Sequence, residues 1–187
     1  MRLVLFAFVP AIALGYVLGG RLRHLAGVRF RHGWAGLAGI ALQFLPFGGA
    51  PGYVALMASF TLLLFVAIVN LRLTGFPLVI VGLCLNFLVI AVNQGMPVTR
   101  EAIVASDQSE TLPGLAQGGG TKHHLATDDD HLVLLGDVIG VPAPVRQAVS
   151  VGDILAYGGA IWLVVAGMRR PEDRTAPDPT TAAEVSG

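Results

Sequence analysis

The sequence is poor in charge and in cysteine, and each scarcity excludes a class of protein. Charged residues make up 13% of the 187 positions, against roughly 25% in an average soluble domain. The 12 basic and 12 acidic residues balance, so no excess of positive charge indicates a nucleic-acid partner, and we predict none. The single cysteine, Cys84, excludes an internal disulfide and a cysteine-based metal site.

Long apolar runs take the place of charge, since 54% of the residues are hydrophobic and the mean hydropathy is +0.70. A helix that crosses the hydrocarbon core of a bilayer needs about 20 mainly apolar residues. Such runs occupy residues 3–19, 33–47, 53–71, 73–92 and 151–168. We therefore predict an all-α fold, a polytopic membrane helix bundle of about five transmembrane helices with one long extracytoplasmic loop. The second run is the shortest, and its boundaries stay open.

The predicted organisation has four parts. They are a four-span membrane region (1–93), an extracytoplasmic loop with an apolar interfacial end (94–150), the fifth span (151–168) and a disordered cytoplasmic tail (169–187). Within the loop, residues 117–120 have the composition of a linker. Residues 131–141 are apolar but too few to span, so we expect an interfacial or re-entrant segment there.

Basic residues flank the predicted spans on one side of the membrane. They are Arg21, Arg23, Arg29, Arg31, Arg72, Arg169 and Arg170. The segment 94–150 instead holds seven acidic residues against three basic ones. Because basic loops are retained in the cytoplasm, we predict that the N-terminus lies outside the cell and the C-terminus in the cytoplasm. The four arginines after the first span also oppose its cleavage as a signal peptide.

The richest cluster of metal-binding side chains lies in the predicted loop, at residues 123–131. Imidazole and carboxylate groups can together bind zinc or a similar divalent ion. Ligands that are adjacent in sequence converge poorly, however, and no HExxH or comparable spacing is present. His123, His124, Asp130 and His131 are therefore candidate ligands for a metal site that we do not predict, and we predict no cofactor.

Two aspartates, Asp137 and Asp153, lie sixteen residues apart in a repeated Gly-Asp-apolar-apolar pattern. Both fall at the predicted outer interface of the membrane. Two carboxylates held close together in a site of low dielectric do not both ionise readily, so they can share a proton and activate water. Asp137 and Asp153 are thus candidate catalytic residues, with Asn93 as a third that orients the substrate.

The same residues also have structural interpretations. The sequence from Ser150 to Asp153 is typical of a capping box that opens the last helix, and Asp137 after a glycine is typical of a turn. Asn93-Gln94-Gly95-Met96-Pro97 is typical of a helix stop. Asn86 and Asn93 are two helical turns apart, so they share a helix face that either bonds a neighbouring helix or lines a polar track.

Three motifs resemble those of a family of small bacterial multi-pass membrane proteins known only as a domain of unknown function. They are Asn93-Gln94-Gly95-Met96-Pro97, then Leu135-Gly136-Asp137-Val138-Ile139 with Pro142 following, then Ser150-Val151-Gly152-Asp153-Ile154-Leu155. The resemblance covers most of the chain up to about Met168. It implies a location in the bacterial plasma (inner) membrane and no assigned activity.

A more distant resemblance is to bacterial lipoprotein signal peptidases, which combine an Asn-x-Gly segment with two catalytic aspartates. Asn93, Gly95, Asp137 and Asp153 match that outline in order. Those enzymes place two spans between the Asn-x-Gly segment and the first aspartate, whereas no span intervenes here. The Asn and Arg residues that those enzymes carry near the first aspartate are also missing.

Three functional hypotheses follow from the sequence. The leading one is a non-enzymatic membrane component that acts through packing or through its outer loop, with membrane lipid and another membrane or extracytoplasmic protein as expected partners. It rests on the lack of charged residues in the central parts of the spans and of any cofactor motif. The alternatives are an aspartate-dependent membrane hydrolase or peptidase that uses Asp137 and Asp153, and a small-solute permease with a polar path along Asn70, Asn86 and Asn93.

Overall fold

The computed structural model describes residues 2–46, 48–116 and 122–169, and it is mostly helical. In chain order its elements are α1 (Arg2–Val17), α2 (Leu22–Leu25), α3 (Gly33–Leu42), α4 (Gly49–Val69), α5 (Phe76–Asn93), β1 (Met96–Val98), α6 (Arg100–Ala105), α7 (Leu112–Ala116), β2 (His123–Leu125), β3 (Ile139–Val141), β4 (Gln147–Val149) and α8 (Val151–Arg169). Single 3-10 turns lie at Ser109–Thr111 and Val133–Leu135.

Three helices, α4, α5 and α8, are long and apolar enough to cross a membrane. No more than about a third of each is buried against the rest of the protein. The remaining surface carries large apolar side chains such as Val54, Ile68 and Trp162. Exposed apolar surface of this extent is unfavourable in water and indicates a membrane protein, as the sequence predicts.

The first two predicted spans correspond to shorter helices. α1 has 16 residues with Pro10 inside it, and α3 has only 10, about 15 Å at 1.5 Å per residue. Both helices are shorter than α4, α5 and α8. The structure therefore contains three candidate spans and two shorter apolar helices.

α3 packs antiparallel to α4, and two polar contacts fix their relative height. Asn70, at the end of α4, donates to the Arg31 carbonyl oxygen and accepts from the Arg31 amide. Gln43, just after α3, donates from Nε2 to Ser59 Oγ over 2.9 Å. α3 therefore begins level with the end of α4 and ends about halfway along it.

The tightest helix contact is between α5 and α8, because glycines face each other there. A Cβ atom at Gly152 would overlap the side-chain amide of Asn86, and one at Gly82 would overlap the Gly152 carbonyl. Small residues at such a seam let two backbones approach closely. α1 packs on the other side of α8, where Ala11 contacts a cluster that includes Val164 and Met168.

The segment between α5 and α8 forms a small folded region, which we call the loop region (residues 94–150). β1 and β2 pair in parallel, with Met96 opposite His123, and β3 and β4 pair antiparallel. An apolar cluster of Leu56, Phe60, Val89, Ile90 and Met96 joins this region to α4 and α5. We call the end of the bundle that carries the loop region the loop end. The opposite end, where α4 and α8 finish, we call the arginine end.

The strands were not predicted, because the sequence analysis assigned only helices and loop. Each strand has three residues, too few for an alternating apolar pattern to be recognised.

Three predictions fall outside the described residues: the linker at 117–120, the tail beyond Arg169, and the flanking charge of Arg170.

Candidate active site

A cavity of about 200 Å³ opens at the loop end between α4, α5, α8 and the loop region, and we call it the bundle cavity. Its apolar wall is formed by Leu56, Phe60, Ile90 and Met96. Its polar lining consists of Gln43, Asn86, Lys122, His123, Asp137, Gln147, Asp153 and Tyr157. The structure therefore brings the two predicted aspartates to one cavity.

The backbone of Asp137 is held beside β1. Its amide donates to the Pro97 carbonyl oxygen over 3.0 Å, and its carbonyl oxygen accepts from the Thr99 amide over 3.2 Å. β2 pairs with the other edge of the same strand. Asp137 and His123 therefore lie along opposite edges of β1, and both residues line the bundle cavity.

The Asp137 carboxyl group is buried with little to stabilise a negative charge. The residue is 4% exposed, and its Oδ1 has no hydrogen-bond partner among the described residues. Its Oδ2 lies 3.6 Å from His123 Nε2, which is too long for a hydrogen bond. Burial, and secondly the negative charge of Asp153, raise the pKa of Asp137 to about 8. Asp137 is therefore protonated at neutral pH.

Asp153 lies in the first turn of α8, in the capping box that the sequence predicts. Its amide donates to Ser150 Oγ over 2.9 Å, and its Oδ2 accepts from the Ser150 amide over 3.2 Å. Asn86 Nδ2 donates to Asp153 Oδ1 over 2.7 Å, and Ser150 Oγ donates to Asn86 Oδ1 over 2.8 Å. Each Asp153 oxygen thus accepts one hydrogen bond, an arrangement that suits a carboxylate.

The imidazole of His123 lies beside the Asp137 carboxyl group, and the sequence indicated His123 only as a metal ligand. About half of its side-chain surface (51%) is accessible, and it faces cavity space. Desolvation in this crowded position lowers the pKa of His123 below its usual value, while the charge of Asp153 opposes the shift. His123 is therefore mainly neutral at neutral pH.

The cavity residues Gln43, Lys122, Gln147 and Tyr157 were also missed by the sequence analysis. They come from four separate parts of the chain, so no local motif joins them. One signal was available for Lys122, because it is the only lysine in the sequence.

Asn93 lies apart from the residues that line the bundle cavity. Its Nδ2 donates to the carbonyl oxygens of Val89 and His131, and its Oδ1 accepts from the His131 amide over 2.8 Å. The side chain thus holds the loop region on the end of α5.

The other metal candidates pair separately. His124 Nε2 lies 2.8 Å from Asp130 Oδ1, Asp130 Oδ2 accepts from the Thr127 amide and hydroxyl, and the backbone of His131 binds Asn93. Hydrogen bonds from His124 and Thr127 lower the pKa of Asp130, outweighing the raising effect of burial. Within the described ranges, no three His, Cys, Asp or Glu side chains are arranged to hold a metal ion.

Comparisons with known proteins identify a family but no function. The chain matches no curated protein and no solved structure. Residues 28–165 match the model of a family of unknown function, DUF5317. That match covers most of the chain, including α3 to α5, the loop region and both cavity aspartates. The chain therefore belongs to the DUF5317 family.

Proposed function

We propose that this protein is a membrane hydrolase in which Asp137 and Asp153 act as an acid–base pair. The observation that carries the proposal is that both carboxyl groups line one cavity, where Asp137 is buried with an unpartnered oxygen and a raised pKa while each Asp153 oxygen accepts a hydrogen bond. Pairs of titratable groups whose environments separate their proton affinities are typical of acid–base catalysis. The pair would act on a carboxylic ester or amide.

In the proposed reaction, a water molecule in the bundle cavity gives a proton to the Asp153 carboxylate as its oxygen bonds the acyl carbon. Asp137 donates its proton to the carbonyl oxygen, which relieves the developing negative charge. When the tetrahedral intermediate collapses, the bond to the alcohol or amine breaks and Asp153 gives its proton to the leaving group. The hydroxyl formed from the carbonyl oxygen returns its proton to Asp137 as the C=O bond re-forms. The products are one carboxylic acid and one alcohol or amine, so one oxygen of the acid comes from water.

The mechanism fixes the sign of the pH dependence. Asp137 must be protonated to act as the acid, and burial raises its pKa to about 8. Hydrolysis is therefore expected below that pH and lost as the pH rises through about 8.

The position of the cavity suits a substrate that reaches it from the membrane. Leu56, Phe60 and Ile90 belong to helices that are long and apolar enough to span, so one wall of the cavity is continuous with the proposed bilayer region. Asp137 and Gln147 come from the loop region on the other side. The cavity thus lies where an amphiphile would present the linkage between its apolar and polar parts.

The hydrolase proposal replaces the non-enzymatic hypothesis that the sequence favoured. That hypothesis rested on the absence of any recognisable spacing between catalytic groups, whereas the cavity that Asp137 and Asp153 both line supports a proximity that spacing did not reveal. The permease hypothesis has less support, because the three asparagine side chains have separate partners. Asn70 binds the Arg31 backbone, Asn86 binds α8, and Asn93 binds His131.

We further propose that the chain crosses the membrane five times with the loop end outside. Two features support a second crossing despite the short α3. Arg31 lies level with the end of α4, and the six residues 43–48 between α3 and α4 can reach about 20 Å, enough to return to the start of α4. Irregular chain at membrane depth is tolerated where it lines a cavity, and Gln43 lines the bundle cavity. The location would be the bacterial plasma membrane, with the C-terminus in the cytoplasm.

The experiment is hydrolysis in water enriched in ¹⁸O, because the label marks the product of any ester or amide substrate. The purified protein is reconstituted with bacterial membrane extract, and carboxylic acids that have gained one ¹⁸O atom are detected by mass spectrometry. We expect products that depend on the wild-type protein and fall at least about a hundredfold with Asp137→Asn or Asp153→Asn, since general acid–base groups contribute about 10²–10⁴-fold.

Asp129→Asn is the matched control, because Asp129 is an exposed aspartate in the same region and lies outside the set of residues that line the cavity. It should retain wild-type labelling and wild-type folded yield, and labelling by the two cavity variants is compared at equal amounts of folded protein. Labelling that survives both cavity substitutions, or no labelling that depends on the wild-type protein, would contradict the proposal.

A further inference from the structure

A second cavity adjoins the bundle cavity within the loop region, and we call it the loop cavity. Its volume is about 250 Å³. Three residues, His123, Asp137 and Gln147, line both cavities. The two spaces therefore meet at the proposed catalytic acid.

The floor of the loop cavity is apolar and buried. Val98, Ile103 and Ala148 are 4%, 1% and 8% exposed and belong to one buried cluster, against which Leu115 packs. Because close-packed side chains rearrange little, such a floor can discriminate between apolar groups of different size. The exposed Thr111 lies at the rim.

The junction between the cavities is polar and has unused hydrogen-bonding capacity. Asp137 Oδ1 is buried without a partner among the described residues, and the Gln147 side chain lines both cavities beside it. A Gln side chain can donate two hydrogen bonds and accept two. A polar linkage placed at the junction can form hydrogen bonds with both residues.

We infer that the loop cavity is a specificity subsite that binds a compact apolar group on one side of the cleaved linkage. From the bundle cavity to the loop cavity, the lining changes from the apolar wall of the first, through the polar junction, to the apolar floor of the second. This order fits an ester or amide with apolar groups on both sides. The larger apolar group of the substrate faces α4 and α5, and the compact one occupies the loop cavity. This inference rests on the proposed hydrolase only for the nature of the linkage.

The test uses binding of a matched pair of compounds that cannot be hydrolysed. In both, a tetrahedral secondary alcohol replaces the carbonyl group, and one side carries a dodecyl chain for the apolar wall of the bundle cavity. The other side carries isobutyl in one compound and methyl in the other. Dissociation constants are measured by calorimetry with the full chain in lipid nanodiscs, with empty nanodiscs subtracted.

We expect the wild-type protein to bind the isobutyl compound at least about tenfold more tightly than the methyl compound, as an apolar pocket that fits the larger group would. Thr111→Phe, which places a ring at the rim of the loop cavity, should bring this ratio close to one. Ser109→Phe is the control, because Ser109 belongs to the same 3-10 turn, is exposed and lies outside the set of residues that line the cavity. It should keep the wild-type ratio.

A ratio near one in the wild-type protein, a ratio that Thr111→Phe leaves unchanged, or no binding of either compound would overturn the subsite. Selective binding that depends on the cavity, without any ¹⁸O incorporation, would support the subsite and refute the hydrolase. Hydrolysis with unselective binding would support the hydrolase and refute the subsite.

Discussion

Asp153 combines a structural and a proposed chemical role in one side chain. Its hydrogen bonds with Ser150 cap the first turn of α8, and its bond from Asn86 ties α8 to α5. A carboxylate oxygen accepts more than one hydrogen bond, so each Asp153 oxygen can still accept a bond from water. The capping box and the acid–base pair are therefore compatible, although the sequence presented them as alternatives.

Ser150→Ala should destabilise the fold by about 1–2 kcal/mol. The change removes the oxygen that accepts from the Asp153 amide and the hydroxyl that donates to Asn86. Loss of a helix cap costs about 0.5–2 kcal/mol, and a buried group that loses its partner costs a similar amount. Unfolding in mixed micelles of increasing SDS content, followed by tryptophan fluorescence, measures the change.

Ser109→Ala is the control for that measurement, because Ser109 is an exposed serine outside the helix cap. If the two variants unfold at the same SDS content, the capping box contributes nothing measurable to stability.

At the residue scale, the sequence identified the two aspartates but not their neighbours. Each Gly-Asp-apolar-apolar motif and the capping box are local signals, because each involves residues at most three apart. The approach of His123 to Asp137 instead depends on two separate segments pairing with opposite edges of β1. Nothing in the residues near His123 indicates that pairing.

Among the elements, the 3-10 turn at Val133–Leu135 presents apolar side chains where the loop region meets the bundle. Asn93 holds the backbone of His131, and Leu135 packs against the cluster formed by α4, α5 and Met96. Between these two anchors, Leu132 has a φ of 56° and is 45% exposed, and Leu134 is 82% exposed. Side chains so placed at the end of a spanning helix are suited to the lipid interface.

We predict that Leu134 inserts into the outer leaflet of the bilayer. In a Cys84→Ser background, a fluorophore on Leu134→Cys should be quenched by phospholipids brominated on their acyl chains. The same fluorophore on Asp129→Cys, in the polar turn that precedes this segment, should be quenched far less. Equal quenching at the two positions would show that the turn does not enter the membrane.

The long elements were predictable from the sequence, whereas the short ones were not. α4, α5 and α8 were found because an apolar run that matches the thickness of a bilayer is typical of a spanning helix. α3 is shorter than its apolar run. The helix ends at Leu42, and the next residue, Gln43, lines the bundle cavity. The four strands depend on pairing between distant segments, which local periodicity does not report.

On the scale of the whole molecule, the arginines that flank the long helices and the two cavities lie at opposite ends. Arg31, Arg72 and Arg169 lie at the arginine end, near the ends of α4 and α8 or the start of α3. The loop end carries both cavities and both aspartates. This polarity is the arrangement that the positive-inside rule favours, and it would open the cavities to the outer side of the membrane.

The proposed acid–base pair requires Asp137 to hold a proton at neutral pH, and infrared titration of the carboxylic-acid carbonyl band detects that proton. We predict a band that disappears as the pH rises through about 8 and that is absent from Asp137→Asn. Asp153→Asn should shift this titration to lower pH, because a neighbouring negative charge is lost. An Asp137 band that titrates near the ordinary value of about 4, or one that ignores Asp153→Asn, would contradict the account.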